Sequence, residues 1–220
     1  MTQETWSAVD ENFLPLVGED AALREATVAS HEGGLPPIQV APNQGKLLYM
    51  LATLRGARNI LEVGTLGGYS TIWLARALPE GGTLTTLEID PKHAEVASKN
   101  LARAGLDKKV RVRVGKASET LEAMRFEKRE PFDFTFIDAD KPSNLDYFDR
   151  ALDFSRPGSL IVVDNIARAG KVADAQSTDA NVLGVRRLRD ALAKNDRVTA
   201  TAIQTVGSKG YDGFVLAIVK

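Results

Sequence analysis

Side chains that could bind a metal ion follow two apolar stretches of the sequence. Asp138 comes directly after residues 132–137, and the pair Asp164 and Asn165 comes directly after residues 159–163. Two carboxylates and an amide oxygen form the all-oxygen ligand set that Mg²⁺, Mn²⁺ or Ca²⁺ prefers, and Mg²⁺ readily keeps open positions for water or substrate. The alternative is that Asp138 and Asp164 only cap following helices. Because Asp164 and Asn165 precede a loop, the pattern favours a divalent cation site.

A lysine lies close to this acidic set. Lys141 follows Asp138 by three residues and could reach into the same crevice. A nearby divalent cation would favour its neutral amine, which can act as a general base. A lysine at the start of a loop is otherwise usually solvated, so its predicted role depends on the metal site.

A glycine-rich turn lies between an apolar strand and the start of a helix. Gly64 can adopt a positive φ and let a ligand approach the backbone, while Ser70 and the first helical amides favour a carboxylate or phosphate. Glu62, inside the strand, suits a positively charged ligand such as an amino acid ammonium. The G-x-G-x-x-G spacing of dinucleotide-binding proteins is absent. The alternative is a tight strand-to-helix connection with no ligand.

A further acid, Glu88, lies at the end of the second strand. An acid in this position can accept hydrogen bonds from both hydroxyls of a ribose. Asp90 is better explained as a helix cap, because Pro91 follows it at the first helical position. The alternative for Glu88 is a solvated acid. Since the carboxyl ends of parallel strands share one crevice, we expect all these acids to converge.

The order of apolar strands and amphipathic helices predicts an α/β fold with a mostly parallel sheet. We predict seven strands, a C-terminal antiparallel hairpin joined across 207–213, and helices on both faces. The run 132–137 is nearly all apolar and should be central, whereas 110–114 alternates with arginines and should lie near an edge. The predicted strands cover residues 59–63, 83–89, 110–114, 132–137, 159–163, 198–206 and 214–219. The predicted helices cover two segments within 4–32, split around Pro15 and Gly18, and residues 43–56, 69–78, 91–104, 118–126, 144–153 and 181–194.

Length and composition limit the possible functions. The 220 residues fit one domain, 1–220, with a helical cap at 1–35 and a core at 36–220. The net charge of −1, with acids and bases mixed, gives no footprint for nucleic acid, and the longest apolar runs are too short to span a membrane. The absence of cysteine excludes disulfides and thiolate metal sites, and two histidines exclude a histidine-rich zinc site. With no export signal at the N-terminus, we expect a cytoplasmic protein.

Five stretches together resemble one family. The chain is similar to the cation-dependent O-methyltransferases related to catechol and caffeoyl-coenzyme A O-methyltransferases, over about residues 36–220. The matching stretches are LEVGTLGGYS at 61–70, LEID at 87–90, VGKA at 114–117, FIDADK at 136–141 and VDN at 163–165. The resemblance implies a single-domain Rossmann-like methyltransferase fold, S-adenosylmethionine as cofactor and a homodimer.

The resemblance also implies roles for individual residues. Its cofactor contacts would be Val40, Glu62, Gly64 and Ser70 at the methionine end, Glu88 at the ribose and Ala117 at the adenine, with Asp138 and Asp140 as further contacts. The cation ligands would be Asp138, Asp164 and Asn165, and Lys141 would be the base.

These residues predict a methyl transfer to a hydroxyl of a phenolic small molecule. Two adjacent hydroxyls can chelate one cation, which lowers the pKa of a phenol and suggests a catechol-type acceptor. The alternatives are a nucleotide-dependent oxidoreductase, which the missing glycine pattern and the terminal hairpin disfavour, and a non-catalytic cofactor-binding protein. The sequence does not identify the acceptor, because we expect its pocket to be formed by the N-terminal segment and the loops 165–180 and 207–213, where composition is least informative.

Overall fold

Strands and helices alternate from residue 59 onward in the computed structural model, which describes residues 2–220. Met1, the first residue of the predicted cap, lies outside the described residues. The strands are β1 (Asn59–Val63), β2 (Thr83–Glu88), β3 (Val110–Val114), β4 (Phe132–Ile137), β5 (Ser155–Asp164), β6 (Val198–Gly207) and β7 (Gly210–Val219). The helices are α1 (Gln3–Val17), α2 (Ala21–Glu32), α3 (Pro42–Arg55), α4 (Tyr69–Arg76), α5 (Pro91–Arg103), α6 (Ala117–Met124), α7 (Asn144–Asp153) and α8 (Ala180–Leu192). Short 3₁₀ turns lie at Lys141–Ser143 and Lys171–Ala173.

The seven strands form one sheet in the order β3-β2-β1-β4-β5-β7-β6. Strands β1 to β5 pair in parallel, and β7 runs antiparallel to both β5 and β6. The predicted mostly parallel sheet with a C-terminal antiparallel hairpin is therefore confirmed. The fully buried β4 is the middle strand and the arginine-bearing β3 is an edge, as the sequence predicts.

Two apolar cores cover the two faces of the sheet. On one face, Phe134 and Phe136 of β4 belong to a core that also includes residues of α2, α3, α4 and α5. On the other face, Ile137 and its neighbours pack with residues of α6, α7 and α8. This division follows from the alternation of side chains along each strand, which sends successive residues to opposite faces. Helices thus lie on both faces, and the strand ends are held in fixed register.

The N-terminal cap consists of α1 and α2, and the structure corrects one detail of it. Pro15 lies inside α1, and the helix ends only at Gly18, whose left-handed backbone (φ 68°) closes the last turn. Helix α1 reaches the β6–β7 turn, where Gln3 donates to the carbonyl of Gly207 at 2.9 Å. Within residues 2–220, no helix combines the length and apolar composition that crossing a bilayer requires.

Two strands are longer than the sequence indicates. Strand β5 begins at Ser155 rather than Ser159, with an irregular register beside Phe132. Strand β7 begins at Gly210 rather than Phe214, so the connecting turn is shorter than the predicted 207–213 loop. Gly213 lies within the β6–β7 ladder. A side chain at this position would collide with the carbonyl oxygen of Ile203. Its glycine therefore reflects a close backbone approach, which the sequence alone makes look like a loop.

Candidate active site

Two acids and a lysine meet at the carboxyl edge of the sheet. Ile137 of β4 and Val163 of β5 are register partners, so Asp138 and Asp164 follow from neighbouring strand positions. The Nζ of Lys141 donates to Oδ1 of Asp138 at 2.8 Å, and the lysine side chain is only 8% exposed. The predicted convergence of Asp138, Lys141 and Asp164 is what the structure shows.

Asp164 is buried, and its surroundings hold its carboxylate in place. Its Oδ2 accepts a hydrogen bond from Nε2 of Gln44 at 2.6 Å, and its Oδ1 accepts from the backbone N–H of Asn165 at 2.8 Å. Burial, and then the negative charge of Asp138, raise the pKa of the Asp164 carboxyl well above its ordinary value; Lys141 and the two hydrogen bonds oppose that rise. A site that holds two acids together at this free-energy cost is chemically suited to a cation.

Asn165, the third predicted ligand, directly follows Asp164, and its contact with a cation stays a prediction. Its backbone is left-handed, with φ at 60°, a conformation that asparagine tolerates better than most residues. Among residues 2–220, no group of three or more His, Cys, Asp or Glu side chains is arranged to hold a metal ion. The proposed set is of a different composition, two carboxylates and one amide, and its donor chemistry fits a hard divalent cation.

The turn that carries Lys141 is held from behind by α8. Gly184 lies against this turn so closely that a Cβ there would overlap the carbonyl oxygen of Lys141 and touch Pro142. Arg187, also on α8, donates to the carbonyl of Pro142 at 2.7 Å. The position of the lysine is therefore set by helix packing as well as by its ion pair.

The glycine-rich turn brings backbone groups to the same edge. Gly64 has φ at 102°, and a side chain there would overlap the carbonyl oxygen of Asp138. Gly68, at the N-terminal end of α4, is left-handed, and no side chain caps this helix. The first amides of α4 therefore keep their donors available, as a binding site for a carboxylate requires.

Glu62 lies beneath this turn and is completely buried. Its Oε1 accepts a hydrogen bond from the hydroxyl of Ser70 at 2.7 Å, and its Oε2 accepts from Thr71 at 2.5 Å and Thr86 at 2.7 Å. Burial raises the pKa of Glu62 to about 7, against the opposing effect of the three hydroxyls. These contacts make Glu62 the acceptor that orients Ser70, while its predicted contact with a ligand stays a prediction.

Glu88 supports the glycine-rich turn from the end of β2. Its Oε2 accepts from the backbone N–H groups of Thr65 at 3.2 Å and Leu66 at 2.7 Å, and its Oε1 accepts from that of Asp90 at 3.0 Å. Asp90 caps α5 by accepting from the N–H of Lys92 at 2.7 Å, as predicted. The role of Glu88 at a ribose is not tested by these contacts and stays a prediction.

The other predicted cofactor residues lie at the ends of elements. Val40 is buried just before α3, and Ala117 is the partly buried first residue of α6. Asp140 follows β4, and its Oδ1 accepts a hydrogen bond from the hydroxyl of Tyr147 at 2.5 Å. Their contacts with a cofactor stay predictions.

The comparison with protein families decides the kind of enzyme. The family model described as O-methyltransferase matches residues 15–218, almost the whole chain. The chain belongs to the O-methyltransferase family. Its membership confirms the predicted methyltransferase enzyme and goes against both the oxidoreductase and the non-catalytic alternatives.

Similar proteins agree over the full length of the chain. A catechol O-methyltransferase of Niastella koreensis is 54% identical over 221 residues, covering 100% of each protein. The crystal structure of the O-methyltransferase from Bacillus cereus in complex with SAH has a TM-score of 0.98 at 52% identity, with 100% of both chains covered. That of the O-methyltransferase TomG from Streptomyces achromogenes, involved in tomaymycin synthesis and in complex with SAM, has a TM-score of 0.97 at 51% identity, covering 100% of this chain and 99% of the other. These similarities confirm the predicted single-domain methyltransferase fold.

Several residues of this O-methyltransferase site were not predicted from the sequence. Gln44 contacts Asp164 across 120 positions of the chain, and nothing in the local sequence indicates that contact. Thr86 and Tyr147 likewise reach Glu62 and Asp140 only through the fold. Thr71, adjacent to Ser70, is the one such residue with a local signal, since a second hydroxyl follows directly in the first helical turn.

Proposed function

We propose that this chain transfers a methyl group from S-adenosylmethionine to one hydroxyl of a catechol-type phenol, with a divalent cation, most readily Mg²⁺. The observation that carries the proposal is the meeting of Asp138, Lys141 and Asp164 at the carboxyl edge of β4 and β5. Relatives that cover the whole chain support it, because one is named a catechol O-methyltransferase and two solved structures hold SAH or SAM.

The cofactor would lie along the glycine-rich turn. The uncapped amides of α4 and the hydroxyl of Ser70 would bind its carboxylate, and Glu62 would fix the orientation of that hydroxyl. Glu88 would accept from the ribose hydroxyls, with Val40, Gly64, Ala117, Asp138 and Asp140 as the further contacts. Asn100 stiffens this turn, because its Nδ2 donates to the carbonyl of Gly67 at 2.8 Å.

The cation would be held by Asp138, Asp164 and Asn165. When bound, it would supply a positive charge that lowers the pKa of a coordinated phenol. The hydrogen bond from Gln44 keeps Asp164 oriented toward the site, so Gln44 acts as a positioning residue. Two adjacent hydroxyls can reach one cation together, and this supports a vicinal diol as the acceptor.

Lys141 would accept the proton of the attacking hydroxyl as a neutral amine, the form that a cation bound beside it would favour. Its amine is buried and lies beside a carboxylate that the proposal assigns to the cation. A buried lysine with its position fixed by α8 can hold a proton acceptor within reach of an oriented hydroxyl. Because methyl transfer requires in-line attack, this positioning supplies a large part of the catalysis.

The test is methyl transfer to a panel of catechols, flavonoids and caffeoyl thioesters, with the methylated hydroxyl determined by mass spectrometry and NMR. We expect turnover of vicinal diols and none of the matching monophenols. Lys141→Ala should lower kcat by about 10²-fold or more, whereas Lys99→Ala, which removes an exposed lysine of α5, should leave it unchanged. Full activity after exhaustive chelation would refute the role of the cation, and near-normal rates in Lys141→Ala would refute the role of the base.

A homodimer remains part of the proposal. Helix α1 and the end of α3 expose apolar side chains, among them Leu16 at 75% and Leu54 at 81% exposure. Light scattering after size-exclusion chromatography should give twice the 23.8 kDa mass of one chain. A monomeric mass at micromolar concentration would refute this expectation.

A further inference from the structure

A cavity lies at the opposite edge of the sheet from the candidate active site. It has a volume of about 640 Å³ and is lined by residues that precede or begin strands β1 to β4, including Arg58, Asn59 and Pro131. Because these strands run in parallel, their amino ends lie one strand length, roughly 15 Å, from the carboxyl edge. The volume is in the range of small-molecule sites. The cavity is therefore separate from the methyl-transfer chemistry.

The lining of this cavity is strongly basic. It includes eight lysines and arginines against three acids, whereas the whole chain has 28 basic and 29 acidic residues. Two of the three acids are already neutralised. Asp133 pairs with Arg156 and accepts two backbone N–H groups, and Glu127 pairs with Arg113 at 2.8 Å. The lining thus has an excess of positive charge.

Several of the basic side chains have no partner among the described residues. Lys108, Arg111 and Lys128 make no hydrogen bond and no ion pair within residues 2–220. Arg129 also lines the cavity; its Nη1 donates to the carbonyl of Met124, and only its Nε is buried without a hydrogen-bond partner. Burial lowers the pKa of Arg129, and so does the charge of Arg113, although Glu127 opposes the shift. Like charges gathered around a concave site raise the local potential and attract anions.

From this cavity we infer a binding site for a small molecule that carries a chain of two or more phosphates. The net excess of five positive charges in the lining exceeds the charge of about −2 on a single phosphate. The volume likewise exceeds what one phosphate fills, and the hydroxyl of Thr85 adds an uncharged donor.

The test is isothermal titration of the full chain with sodium tripolyphosphate at low salt, without divalent cations. We expect saturable one-to-one binding that weakens as salt is added, and orthophosphate should bind about tenfold more weakly or worse. ATP and GTP form a second pair of titrations. If ATP and GTP bind with the same affinity as tripolyphosphate, the phosphates alone are recognised. If either nucleotide binds more tightly than tripolyphosphate, its base is contacted as well.

Two charge-removing variants locate the site. Arg111→Gln/Lys128→Gln should weaken tripolyphosphate binding about tenfold or more, and Lys108→Gln/Lys128→Gln, which leaves the sheet unchanged, should act in the same direction. The matched control is Lys99→Gln/Lys194→Gln, which removes the same charge from exposed positions outside the cavity. An equal loss in the control and in both variants, no binding by the wild-type chain, or tighter binding of a single-stranded RNA than of tripolyphosphate would overturn the proposal.

Discussion

The substitution Glu62→Gln tests whether the protein buries a carboxylate at a free-energy cost. Glu62 is fully buried, and burial raises its pKa from an ordinary value near 4.5 to about 7. A glutamine has the same shape, retains an oxygen that can accept hydrogen bonds, and carries no charge. The surrounding hydroxyls can reorient, because each can donate or accept. The variant should therefore keep the fold while losing the ionisation.

The size and sign of the effect follow from the two pKa values. Below about pH 4.5 the carboxyl is protonated in both the folded and the unfolded chain, so it adds no pH dependence to stability. Between pH 4.5 and 7 the folded chain binds the proton more tightly, and the free energy of unfolding falls as the pH rises. Each pH unit is worth about 1.4 kcal/mol, so the stability that the wild type loses through Glu62 is of the order of 3 kcal/mol.

The assay is urea denaturation of the wild type and the variant at pH 5 and pH 8. The difference in unfolding free energy between Glu62→Gln and wild type should shift in favour of the variant by about 2.5 kcal/mol between the two pH values, because at pH 5 the carboxyl of the unfolded chain is already largely ionised. The free-energy cost of rearranged hydrogen bonds in the variant is the same at both pH values, so it cancels when the two differences are compared. Glu95→Gln is the control, because Glu95 is exposed and pairs with Lys99, so its difference should stay nearly flat. A Glu62→Gln difference that is the same at both pH values would refute the assigned burial cost. The variant should also bind S-adenosylmethionine more weakly, because Ser70 loses its charged acceptor.

Three further predictions test the packing around the site and the cation. Asp133→Ala removes a buried acid that accepts two backbone N–H groups and an arginine, so urea denaturation should show a loss of about 3 kcal/mol. Gly184→Ala forces α8 away from the Lys141 turn, so it should lower the free energy of unfolding by about 2 kcal/mol and kcat by about tenfold. Urea denaturation and turnover measure the two effects. A kcat equal to that of the wild type would show that the turn tolerates displacement. Mg²⁺ at about 100 times its Kd should raise the free energy of unfolding, measured by urea denaturation, by about 2.7 kcal/mol. Asp164→Ala should abolish that rise. An equal rise in the variant would show that the cation binds elsewhere.

The sequence predicts most of the sheet because its signals are local. The apolar run of β4, the arginines of β3 and the cap at Asp90 each follow from a few adjacent residues, and each lies where expected. The local signal is misleading in β7, where the sequence around Gly213 predicts a loop although the backbone at Gly213 belongs to the strand ladder. The reason is that a glycine required by close approach to another strand has the same local appearance as one required by a turn.

Some contacts of the candidate site could likewise be predicted from the sequence, and others could not. The convergence of Asp138 and Asp164 could be predicted, because parallel strands carry their carboxyl ends to one edge. The contact between Gln44 and Asp164 could not, since it depends on how α3 packs beside β5. The hydroxyls that surround Glu62 come from two separate elements, α4 and β2, and form a set only after folding. Sequence patterns thus locate the groups that carry charge, whereas the neutral donors that orient them depend on tertiary packing.

Clustered charge gives the two edges of the sheet opposite electrostatic characters. At the carboxyl edge, Glu62 and Asp164 both have raised pKa values, so the free chain loses stability there as the pH approaches neutrality. At the amino edge, unpartnered basic side chains gather around a cavity. A fold selected for stability alone would pair or remove both the acids of one edge and the basic side chains of the other. A cation bound at the first edge and an anion bound at the second would each offset the local repulsion. Ligands of opposite charge should therefore stabilise this protein additively, because the two edges share no residue and lie farther apart than directly coupled sites.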